Sequence, residues 1–230
     1  LVSLGYTEGF YYKPRIDKEA LEQYHENLIC CSACLAGEVN QAILKNNMEE
    51  AKKVALWFKK LFGEDYYLEI QNNGIKEQVL VNQKLIELSR ELDIPLVATN
   101  DAHYLKREDA YNHEVLLCIQ TGKKMSDEDR MKFETDELYV KSPEEMGDYF
   151  KNVPEAIENT VKIAEKCNVE FEFGHTILPN YDVPEEFETH YDYLKKLCDD
   201  GIKNRYGENP TKEIMSRDGW DNITAVKEKA

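Results

Sequence analysis

The chain has 230 residues, enough for one α/β barrel or one two-part α/β unit. Acidic residues outnumber basic ones 45 to 29, a formal net charge of −16 with a pI near 4.8, so the surface repels a phosphate backbone and a free-standing DNA-binding module is disfavoured. There is no run of 18 apolar residues and no basic leader with an apolar core, which makes the cytoplasm the expected compartment.

The first residue is Leu1, and LVSLGY reads as the middle or exit of a helix, as if cut from a longer chain. DKEALEQYHE (17–26) reads as a helix, NLICCSACL (27–35) as a buried strand and its exit, and EVNQAILKN (38–46) as a short helix. In NMEEAKKVALWFKKLFG (47–63), apolar residues recur at near-helical spacing between a capping Asn47 and a terminating Gly63. DYYLEIQ (65–71) suits a strand, IKEQVLVNQKLIELSREL (75–92) an amphipathic helix and IPLVATN (94–100) another buried strand. Strand, helix, strand, helix, strand is the order of βαβ units and a mostly parallel sheet, open or closed into a barrel.

Beyond Tyr104, REDAYNHEVLLCIQTG (107–122) reads as a helix ended by Gly122, and ELYVK (137–141) as a short strand. SPEEMGDYF and VPEAIENTVKIAEKC each open a helix with proline in the first turn and acids beside it, at the positive end of the helix dipole. FEFGHTILPNYDVPEEF (171–187) reads as an extended connector and HYDYLKKLCDDGIKNRYG (190–207) as the last helix. The tail MSRDGWDNITAVKEKA has weak periodicity and no evident core.

In a parallel α/β sheet, ligands collect beyond the carboxyl ends of the strands. Asp101 and His103 lie there, and alternate residues of an extended chain face one side, so Asp-x-His can aim a carboxylate and an imidazole at one point. Such a pair suits a divalent metal, zinc or manganese; the plainer reading has Asp101 capping a turn while His103 packs. Cys34, just past the first predicted strand, could add a thiolate at the same end, or serve as a small buried hydrophobe. Glu69 could face the same mouth, or pair with a neighbouring Lys or Arg, and Asn100 could satisfy loop backbone. His25 and His113 read as surface or capping residues on helices, and His175 and His190 carry no assigned role. The other five cysteines, Cys30, Cys31, Cys118, Cys167 and Cys198, read as reduced and mainly core thiols. There is no Gly-rich phosphate loop or Gly-x-Ser-x-Gly elbow, and CSAC (31–34) has the look of one half of a zinc knuckle with no second pair to close it.

EGFYYKPRIDKEALEQYHENLI, SACLAGEVNQAI, the long run YYLEIQNNGIKEQ to GKKMSDEDRM, ELYVKSPEEM and PEAIENTVKIAEKC, in that order, resemble one family. It is the polymerase and histidinol phosphatase (PHP) domain of bacterial DNA polymerase III alpha subunits, and the resemblance runs from about Gly9 to Gly207. It implies α/β architecture: the later part of a distorted (β/α)7 TIM-like PHP barrel over residues 1–170, then a helical connector (171–207) toward the polymerase palm. The tail, 208–230, stays of unclear origin, and the family's continuation is no longer recognisable from Ser216 onward.

The family's barrel mouth can carry a trinuclear metal cluster. The resemblance places Cys34 at its thiolate position and Asp101 and His103 at its closing Asp-x-His, with Zn or Mn as the divalent metal of the intact protein. The family's opening His-x-His and the ligands that follow it would precede Leu1, so a complete cluster is not expected in this chain. For the intact protein the resemblance implies a DNA-directed DNA polymerase acting on DNA and dNTPs, with Mg in a site outside this chain. Its expected partners are other replicase subunits, among them the sliding clamp and a proofreading exonuclease. Two alternatives stay open: a metal-dependent phosphoesterase or 3′-5′ exonuclease activity of the PHP domain, and a non-enzymatic scaffold that binds a proofreading subunit.

Overall fold

The structure, a computed structural model, describes residues 1–207. Two units are distinguished, one from Leu1 to Val169 and one from Glu170 onward. The predicted tail, 208–230, lies outside the described residues.

The first unit opens with α1 (Val2–Thr7) and a two-stranded antiparallel hairpin, β1 (Phe10–Tyr11) and β2 (Lys13–Pro14), which turns on Tyr12 with φ +59°. Helix α2 (Lys18–Tyr24) starts where the Asp17 carboxylate accepts a hydrogen bond from the Ala20 amide at 2.9 Å. β3 (Cys30–Cys31) leads into α3 (Glu38–Leu44) and α4 (Met48–Phe62). Asn47 caps α4 by accepting from the Glu50 amide, and Gly63, at φ +58°, ends it where a side chain would be strained. β4 (Tyr66–Gln71), α5 (Lys76–Leu92) and β5 (Leu96–Thr99) follow. Helix α6 (Ala110–Thr121) stops at Gly122, α7 (Pro143–Tyr149) begins in a reciprocal Ser142–Glu145 capping box, and α8 (Pro154–Lys166) completes the unit.

The strands β3, β4 and β5 form a parallel sheet in that order, with Cys30 opposite Tyr66 and Leu68 to Gln71 opposite Leu96 to Thr99. Parallel neighbours need crossovers, which α3 with α4 and then α5 provide. The middle strand β4 is buried along nearly its whole length, as a strand covered on both faces must be. The core around it takes Ala51, Val54 and Ala55 from α4, Val81, Leu85 and Leu88 from α5, and Ala156 from α8. These are the residues that the helical spacing turns to one face.

Three expectations change. ELYVK forms no strand: Tyr139 makes only an isolated parallel bridge to Tyr104, because β5 has already ended and its continuation runs through a left-handed Asp101 that cannot extend a ladder. The first strand of the sheet is two residues long, since Ala33, at φ +63°, turns the chain at once. Of the five cysteines read as core, only Cys118 is buried. Cys167 lies just past the end of α8, and Cys31 and Cys198 are exposed like it, because an apolar residue next to a helical stripe or in a two-residue strand need not face the packed side.

In the second unit, residues 170–189 form no regular element, and α9 (His190–Tyr206) follows with Thr189 accepting from the Asp192 amide at its start. No helix among the described residues is long and apolar enough to cross a membrane.

Candidate functional site

At the carboxyl ends of β4 and β5 the side chains form a connected polar layer. The Thr99 hydroxyl donates to Glu69 Oε1 at 2.5 Å and accepts from Gln71 Nε2 at 3.0 Å. Gln71 is tied in turn to α5, where Gln78 Nε2 donates to its Oε1 and Asn82 Nδ2 to its carbonyl. From the β3 exit, the Ser32 hydroxyl accepts from the Glu69 amide at 2.8 Å. Glu69 therefore finds hydroxyl and amide donors rather than the Lys or Arg of its plainer reading.

Cys34 sits at this end. It lines a space of about 10 Å³ with Asn40, Glu69, Gln71, Gln78 and Asn82, among others. The loop that carries it is held by Asn40, whose Nδ2 donates to the carbonyls of Ala33 and Cys34 at 2.9 and 2.8 Å, while its buried Oδ1 has no protein partner. Gly37 closes the same loop: a Cβ there would stand 2.2 Å from the Ser32 carbonyl, so only glycine fits. On β3 beside it, burial pushes the Cys30 thiol up to about 11, which keeps it protonated at neutral pH.

Past β5, Asp101 takes a left-handed backbone, φ +48°, and its Oδ1 lies 3.2 Å from His103 Nε2. The Asp-x-His spacing thus brings a carboxylate and an imidazole together, both partly open to water. His103 packs edge-on against His113 and Phe133, with ring centroids 5.3 and 5.1 Å away. His113 comes from α6, and burial, with His103 beside it, lowers its pKa. Next to these rings a space of about 220 Å³ is lined by Tyr104, Tyr111, His113, Glu114, Phe133 and their neighbours.

Asn100 satisfies loop backbone as its position suggested, donating from Nδ2 to the Tyr139 carbonyl at 3.1 Å, and it also accepts from Lys141. Asp101, read in its plainer alternative as capping a turn, sets its Oδ1 against the His103 ring. His25 does cap, its ring nitrogen lying 2.8 Å from the Glu22 carbonyl at the end of α2. His190 opens α9 and bonds the Tyr181 carbonyl, and His175 lies exposed 3.6 Å from Glu172.

The three predicted ligands are not gathered into one group. Among the described residues, no set of three or more His, Cys, Asp or Glu is spaced to hold a metal ion. Asp101 and His103 supply two donors, and Cys34 belongs to the Glu69 layer. By themselves these residues do not fit a complete metal site. His113, Phe133, Tyr139 and Lys141, which surround or fasten the pair, carry no local sequence signal; they are brought there by contacts between segments some 10 to 40 positions apart.

Comparison with known proteins decides the relationship. A PHP domain profile matches residues 1–73. The DNA polymerase III subunit alpha of Borreliella burgdorferi is 53% identical over 218 residues, covering 94% of this chain and 19% of that protein. The chain is homologous to a segment of the DNA polymerase III alpha subunit. The alpha subunits of Treponema pallidum and Thermus aquaticus are 44% and 41% identical, over 96% and 92% of this chain. The chain spans about a fifth of the length of these alpha subunits. The alpha-subunit similarity extends past the profile match, through β5, Asp101, His103 and α6, since it covers over nine-tenths of the chain.

Proposed function

We propose that this chain is part of a replicative DNA polymerase alpha subunit that performs template-directed DNA synthesis from dNTPs, with the segment acting as scaffold beside the catalytic core. The observation that carries this is the 53% identity to an alpha subunit over nearly the whole chain. On this reading residues 1–170 belong to the later part of a (β/α)7 PHP barrel, and 171–207 form the connector toward the palm. Magnesium and the residues that hold it in the polymerase site lie outside this chain, and DNA, the sliding clamp and a proofreading subunit are partners of the longer protein. No catalytic step falls on the residues described. The test is primer extension by the full-length protein that carries this segment, with Mg2+ and all four dNTPs. Template-directed incorporation is expected, and its absence would overturn the reading.

A second reading is favoured by the Asp101–His103 pair at the carboxyl end of a parallel sheet. In the full-length protein these two residues, with Cys34, would be among the donors for a divalent metal, Zn or Mn, completed by ligands from elsewhere. Such a metal supplies Lewis-acid chemistry for phosphoester hydrolysis. Metal analysis and exonuclease assays of the full-length protein with Asp101→Ala and His103→Ala decide it. Loss of bound metal is expected, and unchanged metal content in both variants would sink the reading.

A further inference from the structure

Lys141 is a buried cation with a narrow set of partners. Its side chain is 1% exposed, and Nζ donates to the Glu137 carbonyl and, at 3.3 Å, to Asn100 Oδ1. It stands 4.8 Å over the Tyr139 ring, with the Glu137 carboxylate 4.0 Å away. Desolvating an ammonium is costly, so each of these acceptors is needed to offset it. What the lysine holds is specific: the Asn100 side chain is gripped at both ends, Oδ1 by Lys141 and Nδ2 by the Tyr139 carbonyl.

Asn100 immediately precedes Asp101, whose left-handed backbone is a conformation that persists only where its surroundings fix it. The other side of the pair is fastened to the same segment. The His103 amide donates to the Leu138 carbonyl at 2.8 Å, the Val140 amide donates to the Tyr104 carbonyl at 3.1 Å, and Arg107 reaches Asp136 and Glu137. Residues 136–141 thus bracket the Asp-x-His loop, and Lys141 is the one charged side chain of that bracket that bonds within it directly beside Asp101.

We propose that Lys141 is a positioning residue for the Asp101–His103 pair, acting through Asn100 to set the left-handed turn that brings carboxylate and imidazole together. This rests on the pair being the functional part of the loop, as in the second reading above, but its test is independent of metal and of polymerisation. The 230-residue chain, isotopically labelled, is compared by NMR with Lys141→Met, Lys141→Arg and Asn100→Leu. With Lys141→Met, the His103 and Tyr104 amides are expected to exchange about tenfold faster, the order set by removing a hydrogen bond to a charged group. The His103 ring signals are expected to move to where they lie in Asp101→Ala, while the amides of Leu68 and Leu85 in the core keep their protection. Lys141→Arg restores part of the parent pattern. Asn100→Leu, which leaves the lysine in place, gives the same local change and serves if Lys141→Met does not fold.

Unchanged His103 ring signals and amide exchange in Asn100→Leu, with the core intact, would overturn the proposal. So would a loss of protection as large at Leu68 and Leu85 as at His103, since that marks a general structural role. Failure of primer extension by the full-length protein bears only on the function proposed above and leaves these readouts as they are.

Discussion

His113 shows how a side chain from a distant helix changes the chemistry of a local motif. It packs against His103, Tyr104 and Phe133, and burial, followed by the proximity of His103, holds its pKa below the ordinary value of 6.5. The unfolded chain takes up this proton as pH falls through 6.5 while the folded chain resists it, so the His113 contribution disfavours the folded state progressively below that pH. An NMR titration should find His113 protonating below 6.5, and His103→Ala should raise its midpoint by removing the repelling ring. The Asp-x-His pair was legible in the sequence as two donors two positions apart at a strand exit, but a left-handed Asp101 rather than an extended chain brings them together. His113 and Lys141 were not legible, since nothing in their own helical or extended surroundings marks them as bound for that loop.

The elements are held by core side chains and by a few polar ties at their edges. Leu85, on the inner face of α5, is fully buried against the sheet, and Leu85→Ala should cost about 2–5 kcal/mol in denaturant unfolding, from lost burial and the cavity left behind. Asn159 is a different kind of tie. The Pro95 carbonyl accepts from the Leu68 amide of β4, so the next carbonyl, Leu96, points to the other side of β5, and Asn159 of α8 donates to it at 2.8 Å. Asn159→Leu should cost about 1–3 kcal/mol, measured in the same way, because it leaves that carbonyl buried without its partner. Helix boundaries were readable from Asn47, Gly63, Gly122 and the first-turn Pro143, since these signals act within one turn. The ELYVK strand was misread because its alternation promised a ladder that only a neighbouring strand could complete.

At the scale of the whole chain, the unit from Leu1 to Val169 carries the sheet and its core, while residues 170–189 carry no regular element. Phe171, Phe173, Ile177 and Leu178 in that segment are exposed, as are Tyr181 and its neighbours. Segments without protective hydrogen bonds admit a protease first. Brief chymotrypsin digestion should cut among Phe171, Phe173, Leu178 and Tyr181 before any site in β4 or α5, and mass spectrometry of the first fragments checks this. Early cleavage inside β4 would contradict it.

The sequence by itself determined the order of the three parallel strands and of the helices that connect them, though not the β1–β2 hairpin, and with it most helix ends and the kinship with DNA polymerase III alpha subunits. These follow from periodicity, capping residues and similarity, which act along the chain or between chains. Tertiary structure alone decided that Glu69 bonds Thr99 and Gln71 rather than a basic residue, that Cys34 lies in a different cluster from Asp101 and His103, and that Lys141 fastens Asn100. Each of these depends on a side chain arriving from another element, and the free energy of a buried polar group is set by the partner it meets there, not by its neighbours in sequence.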